Sequence, residues 1–116
     1  MINFPGHVEI QVTDLDKAKR FYEGVFGWNL KPWGDGSYLT QSAKEGPSIG
    51  LWKVSRVAPG ESPVVYFDTD HLESYIERAR QFGGTVVHDK DVVADMGYYA
   101  LIKDPDGNLF GLYQDK

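Results

Sequence analysis

Cysteine is absent from this 116-residue chain, which excludes disulfides, thiolate zinc centres and a cysteine nucleophile. That absence also fits the cytoplasm. No basic run occurs either: 12 Lys and Arg stand against 17 Asp and Glu. The net charge of −5 argues against nucleic acid or a membrane surface as partner. No apolar stretch approaches a membrane span, and the opening MINFPGHVEI lacks the charged leader and apolar core of a signal peptide. No glycine-rich loop follows a strand pattern, so nucleotide binding has no support. Of the three histidines, His71 is expected in the first turn of a helix and His88 near a strand end. Neither has a nucleophile partner from which a triad could be argued. What is present is ordinary for one soluble domain with its own core: 41% hydrophobic and 25% charged residues. Aromatics reach 14%, with three Trp and seven Tyr, which suits an aromatic-lined pocket as well as simple packing.

The chain resembles itself. Shifted by 56, TDLDKAKRFYEGVFG from Thr13 lies on TDHLESYIERARQFG from Thr69. Shifted by 61, EGPSIGLW lies on DGNLFGLY, so that Gly46 meets Gly107, Gly50 meets Gly111 and Trp52 meets Tyr113. Gly36 and Tyr38 meet Gly97 and Tyr99 at the same shift. Two modules follow, roughly 1–55 and 62–116, joined by the polar SRVAPGESP.

Each module has one grammar. His7–Val12 alternates with period two, as a half-buried strand does. Asp14 is placed to cap a helix whose buried stripe is Leu15, Ala18, Phe21 or Tyr22, and Val25, with Gly27 ending it. Strands are expected around Trp28–Trp33, Tyr38–Gln41 and Ser48–Val54. In the second module VVYFDT is the strand, Asp70 the cap with Glu73 completing a capping box, and Leu72, Tyr75, Ile76 and Ala79 the stripe. GGTVVHD, GYYALIKD and NLFGLYQ follow as strands. The result is βαβββ twice, an α+β fold with the helices on one face of mixed sheets. In DPDGN, Pro105 and Gly107 suit a type I turn, and the carboxylates fall short of a calcium loop.

VTDLDKAKRFYEGVFGW (Val12–Trp28) and GYYALIKDPDGNLFGLYQ (Gly97–Gln114), set on that repeat, resemble the vicinal oxygen chelate superfamily of glyoxalases, extradiol dioxygenases and bleomycin-resistance proteins. Nearly the whole chain is covered, and it is similar to small bacterial proteins labelled as related to lactoylglutathione lyase. The resemblance implies two βαβββ modules in a cupped mixed sheet around a cavity, helices outside, and a homodimer. It also implies a divalent metal held from the first and fourth strands of each module. The matching positions here are His7, Gly50, Pro63 or Val64, and Gly111. Only His7 can ligate, since glycine, proline and valine side chains carry no donor. No cofactor is therefore expected, although a divalent metal held in a site rebuilt with Glu9 and Gln11 stays open as an alternative.

His7, Glu9 and Gln11 share one strand face, opposite Val8, Ile10 and Val12. Ser48, Gly50 and Trp52 share another, as do Leu109, Gly111 and Tyr113, and Val64 and Tyr66. Trp33, in the hairpin loop WGDGSY, is placed to overhang a cavity. An aromatic wall of Trp52, Tyr66 and Tyr113 around glycines kept open would suit a flat small molecule. Three functions follow: metal-free binding of a small aromatic or planar molecule; a metal-dependent glyoxalase-type lyase, isomerase or dioxygenase; and a metal-free enzyme with His7 or Glu9 as general base.

Overall fold

A computed structural model describes residues 1–42 and 45–116. The chain forms two compact units, one of His7–Pro63 and one of Met1–Gly6 with Val64–Lys116.

The His7–Pro63 unit holds β1 (Pro5–Val12) from His7 onward, α1 (Leu15–Phe26), β2 (Lys31–Pro32), β3 (Tyr38–Gln41) and β4 (Ser48–Lys53). Its strands lie in the order β2-β3-β4-β1, with β1 parallel to β4 and the other pairs antiparallel. Asp14 caps α1 by accepting the Lys17 N–H at 3.0 Å, and Gly27 ends the helix with a left-handed φ of 71°, as its lack of a Cβ allows. Leu15, Ala18 and Tyr22 press on buried Leu30, Leu39 and Leu51. The expected stripe is too wide, for Phe21 and Val25 are exposed. Tyr22 wins the inward position because its ring stacks on Trp28 at 5.3 Å. The strand expected over Trp28–Trp33 shrinks to Lys31–Pro32; Asn29 instead gives its N–H to the Gln41 side chain, and Leu30 to Glu23.

The other unit repeats the topology with β5 (Val64–Asp68), α2 (Leu72–Gln81), β6 (Thr85–Val93), β7 (Gly97–Lys103) and β8 (Leu109–Asp115). Their order is β5-β8-β7-β6, with β5 parallel to β8. Leu72 and Ile76 of α2 bury against Ala100, Ile102 and Leu112, flanked by Tyr75 and Ala79. The capping box fails: α2 starts after His71, which makes no side-chain cap, and Glu73 pairs with Lys90. The orphan N–H of Leu72 is met at 2.7 Å by the Gln114 side chain of β8, which takes over the role expected of Asp70. His88 lies inside β6, because that strand runs on to Val93 through two register shifts. Asp104 spends its carboxylate on the turn, accepting from the N–H groups of Asp106 and Asn108 at 2.9 Å each. No helix among the described residues is long and apolar enough to cross a membrane.

Candidate functional site

Pairing places the expected residues row by row on the face opposite α1. β1 and β4 run in register so that His7 faces Ser48, Glu9 faces Gly50 and Gln11 faces Trp52. β3 adds Thr40 beside Gly50 and Tyr38 beside Trp52. The β2–β3 turn brings the Trp33 N–H onto the Tyr38 carbonyl at 3.0 Å, and the two rings meet edge to face at 5.7 Å. One row is therefore Trp33, Tyr38, Trp52 and Gln11, with Trp33 and Trp52 exposed.

Four polar side chains are linked across that face. His7 Nδ1 lies 2.6 Å from Ser48 Oγ and Nε2 lies 2.8 Å from Tyr38 Oη. The Tyr38 hydroxyl donates to Glu9 Oε2 at 3.1 Å. With Glu9 ionised the bonds run in one direction: Ser48 donates to Nδ1, Nε2–H donates to Tyr38, and Tyr38 to Glu9. With Glu9 protonated every bond can reverse, so the array can carry a proton between its ends. Burial lowers the His7 pKa and keeps the imidazole neutral. Burial also raises that of Glu9, opposed by the Tyr38 hydrogen bond.

That shift has a measurable consequence. Folded Glu9 keeps its proton where the unfolded chain, with its ordinary value of 4.5, has released it. The native state then binds more protons, so Glu9 detracts from stability as pH rises above that value. Glu9→Gln keeps an acceptor for Tyr38 without the charge. Its stability should gain on the wild type from pH 4 to pH 8 in urea unfolding; a pH-independent difference would contradict the burial of an ionising group.

Gly50 is not open space. A Cβ there would lie 1.8 Å from Tyr38 Oη and 2.9 Å from His7 Nε2. In the other unit a Cβ at Gly111 would lie 2.2 Å from Cδ2 of Tyr66, whose ring covers it. The expectation that two glycines hold a cavity open is thus corrected: each is filled by a tyrosine, from the adjacent strand β3 in one unit and from the paired strand β5 in the other. Tyr66 faces Gly111 in register, as Glu9 faces Gly50, which makes Val64 the counterpart of His7. Val64 is buried and Leu109 half-buried, while the Tyr113 hydroxyl donates to the Met96 carbonyl at 3.1 Å. The Tyr113 pKa is pushed up to about 12 by burial and by the Asp115 carboxylate.

The metal that the resemblance implies does not fit these donors. Both His7 nitrogens meet hydroxyls, and Tyr38 fills the space at position 50. Val64 and Gly111 offer nothing, and no group of three His, Cys, Asp or Glu side chains among the described residues could hold an ion. Of two surface depressions, one is lined by Asp68, Asp70 and Tyr113 and the other by Lys31, Thr40 and Gln41. Neither joins a histidine to a carboxylate, so the helix-free face of β1, β3 and β4 is where the chemistry converges. Tyr38, at its centre, is the residue missed from sequence.

The family model described as Glyoxalase/Bleomycin resistance protein/Dioxygenase superfamily matches residues 5–112. CFP32 of Mycobacterium tuberculosis, described provisionally as a glyoxylase, is 29% identical over 95% of this chain; the chain spans only 45% of that protein. Among solved structures, a superfamily member from Vibrio splendidus 12B01 matches with a TM-score of 0.70 at 17% identity, covering 94% of this chain and 97% of the other. Hypothetical protein BH1468 from Bacillus halodurans C-125 matches with a TM-score of 0.75 at 15% identity, covering 97% and 94%.

Proposed function

Because the chain belongs to the Glyoxalase/Bleomycin resistance protein/Dioxygenase superfamily, we propose that it uses that fold to bind a small, flat molecule without a metal ion. The observation that carries this is the Tyr38 hydroxyl, which sits where a side chain at position 50 would begin and bonds both His7 and Glu9. A ligand's polar edge meets Glu9, Tyr38 and His7, and its flat part lies along Trp33 and Trp52. Gln11, at the end of that row, adds an amide to the rim.

A second reading has its own support. Glu9 keeps its proton above the ordinary carboxylate range and is wired to a neutral imidazole through Tyr38. That suits a metal-free enzyme in which Glu9 takes or gives a proton. The glyoxylase description of CFP32 belongs to a protein of which this chain spans under half.

A thermal-shift screen with planar heteroaromatic compounds tests the proposal. A ligand at a hundred times its Kd should stabilise the protein by about 2.7 kcal/mol. The shift should vanish in Trp52→Ala and in His7→Ala. No stabilisation by any compound, or a shift untouched by both variants, would refute binding at this face. Stoichiometric zinc, nickel, iron or manganese lost in His7→Ala would replace it with the metal-dependent lyase. Turnover of a bound compound that disappears in Glu9→Gln, without metal, would establish the second reading.

A further inference from the structure

We infer that Tyr38 determines what this site can bind: it occupies the third corner of a would-be metal-binding set and converts the other two corners, His7 and Glu9, into a hydrogen-bonding array. This deepens the metal-free reading and rests on it. The geometry is mutually exclusive. A Cβ at position 50 would stand 1.8 Å from Tyr38 Oη and 2.4 Å from its Cζ, so Tyr38 as placed and any side chain at position 50 cannot coexist. The same Cβ would stand 2.9 Å from His7 Nε2, and position 50 is the register partner of Glu9. A carboxylate there would therefore join an imidazole and a carboxylate already in place, which is the count of protein donors that a zinc or cobalt ion takes in an open site. The set lacks one member; the ring of Tyr38 fills the space where it would begin, and the His7 imidazole, 2.9 Å away, must give slightly to admit it.

Tyr38 is held in that position from several sides. Its hydroxyl bonds His7 and Glu9, its ring meets Trp33 edge to face, and its backbone pairs with Trp52. A ring that merely filled space would need none of the hydroxyl contacts. In the other unit Tyr66 covers Gly111, and buried Val64 stands at the position that corresponds to His7. Besides meeting the ligand's polar edge, Tyr38 fixes how His7 and Glu9 present themselves to it, and in that it is a positioning residue.

Co²⁺ is the probe, read by metal analysis after dialysis and by its visible absorption when ligated by protein. Wild type, Tyr38→Phe and Gly50→Glu alone should hold no stoichiometric Co²⁺. The double variant Tyr38→Ala/Gly50→Glu should hold about one per chain, with absorption that His7→Ala abolishes. A folded double variant that takes up no Co²⁺ overturns the role of Tyr38 while leaving the metal-free reading intact. One Co²⁺ per chain in the wild type overturns that reading itself. Tyr38→Phe, which keeps the ring, guards against a double variant that does not fold. In ¹⁵N spectra recorded with Glu9 ionised, its His7 ring should lose the Nε2–H tautomer that the array then enforces. Unchanged His7 signals in Tyr38→Phe would overturn the inference.

Discussion

Gly97→Ala should destabilise the protein by about 3 kcal/mol or more, the upper end of overpacking costs. A Cβ at Gly97 would lie 2.1 Å from the backbone carbonyl oxygen of Gln114 and 3.1 Å from the Cα of Asp115. Gly97 pairs with Asp115 across β7 and β8, so the clash is relieved only by parting two strands. Gly111→Ala meets a side chain instead, the Tyr66 ring, and should cost about 1–3 kcal/mol. Tyr66→Ala in that background should return part of the loss, a coupling of roughly 0.5–3 kcal/mol in a double-mutant cycle. Urea unfolding of the four proteins decides the matter. Additive losses would mean that the ring is not what occupies the space above Gly111.

Leu51→Ala is the second large effect, expected at about 2–5 kcal/mol. Leu51 is fully buried, packed with Leu30 and Leu39 beneath Leu15, Ala18 and Tyr22 of α1. Truncation leaves a cavity between a sheet and a helix, neither of which can close on it. Phe21→Ala removes a larger side chain from the same helix, yet Phe21 is 60% exposed and its loss should stay within about 0.5 kcal/mol. Unfolding midpoints that ranked Phe21 above Leu51 would contradict the orientation of α1.

Features set by neighbours in sequence are legible from the sequence alone. The alternation of His7–Val12, the Asp14 cap and the Gly27 stop each depend on a few adjacent residues, and each stands. Features set across strands are not. The cap of α2 comes from Gln114, some forty residues on, and no local pattern announces it. Gly50 and Gly111 read as open along their own strands, while the tyrosine that fills each comes from another strand. Tyr38 was missed for the same reason. Its signal was nonetheless present: a hairpin closed at WGDGSY sets Tyr38 opposite Trp33, and the repeat pairs it with Tyr99. Counting register across the hairpin would have carried Tyr38 to the row of Trp52.

The two register shifts in β6 bear on how the protein behaves when concentrated. β6 is the outermost strand of its unit and exposes Val87 and Val92, a template on which a strand of another molecule could pair. The shifts fall between Val86 and His88 and between His88 and Asp91, so its ladder breaks twice within nine residues. Asp89, Lys90 and Asp91 crowd the interruption with exposed charge. No incoming strand finds an even run of donors and acceptors there, and intermolecular zippering along this edge is opposed.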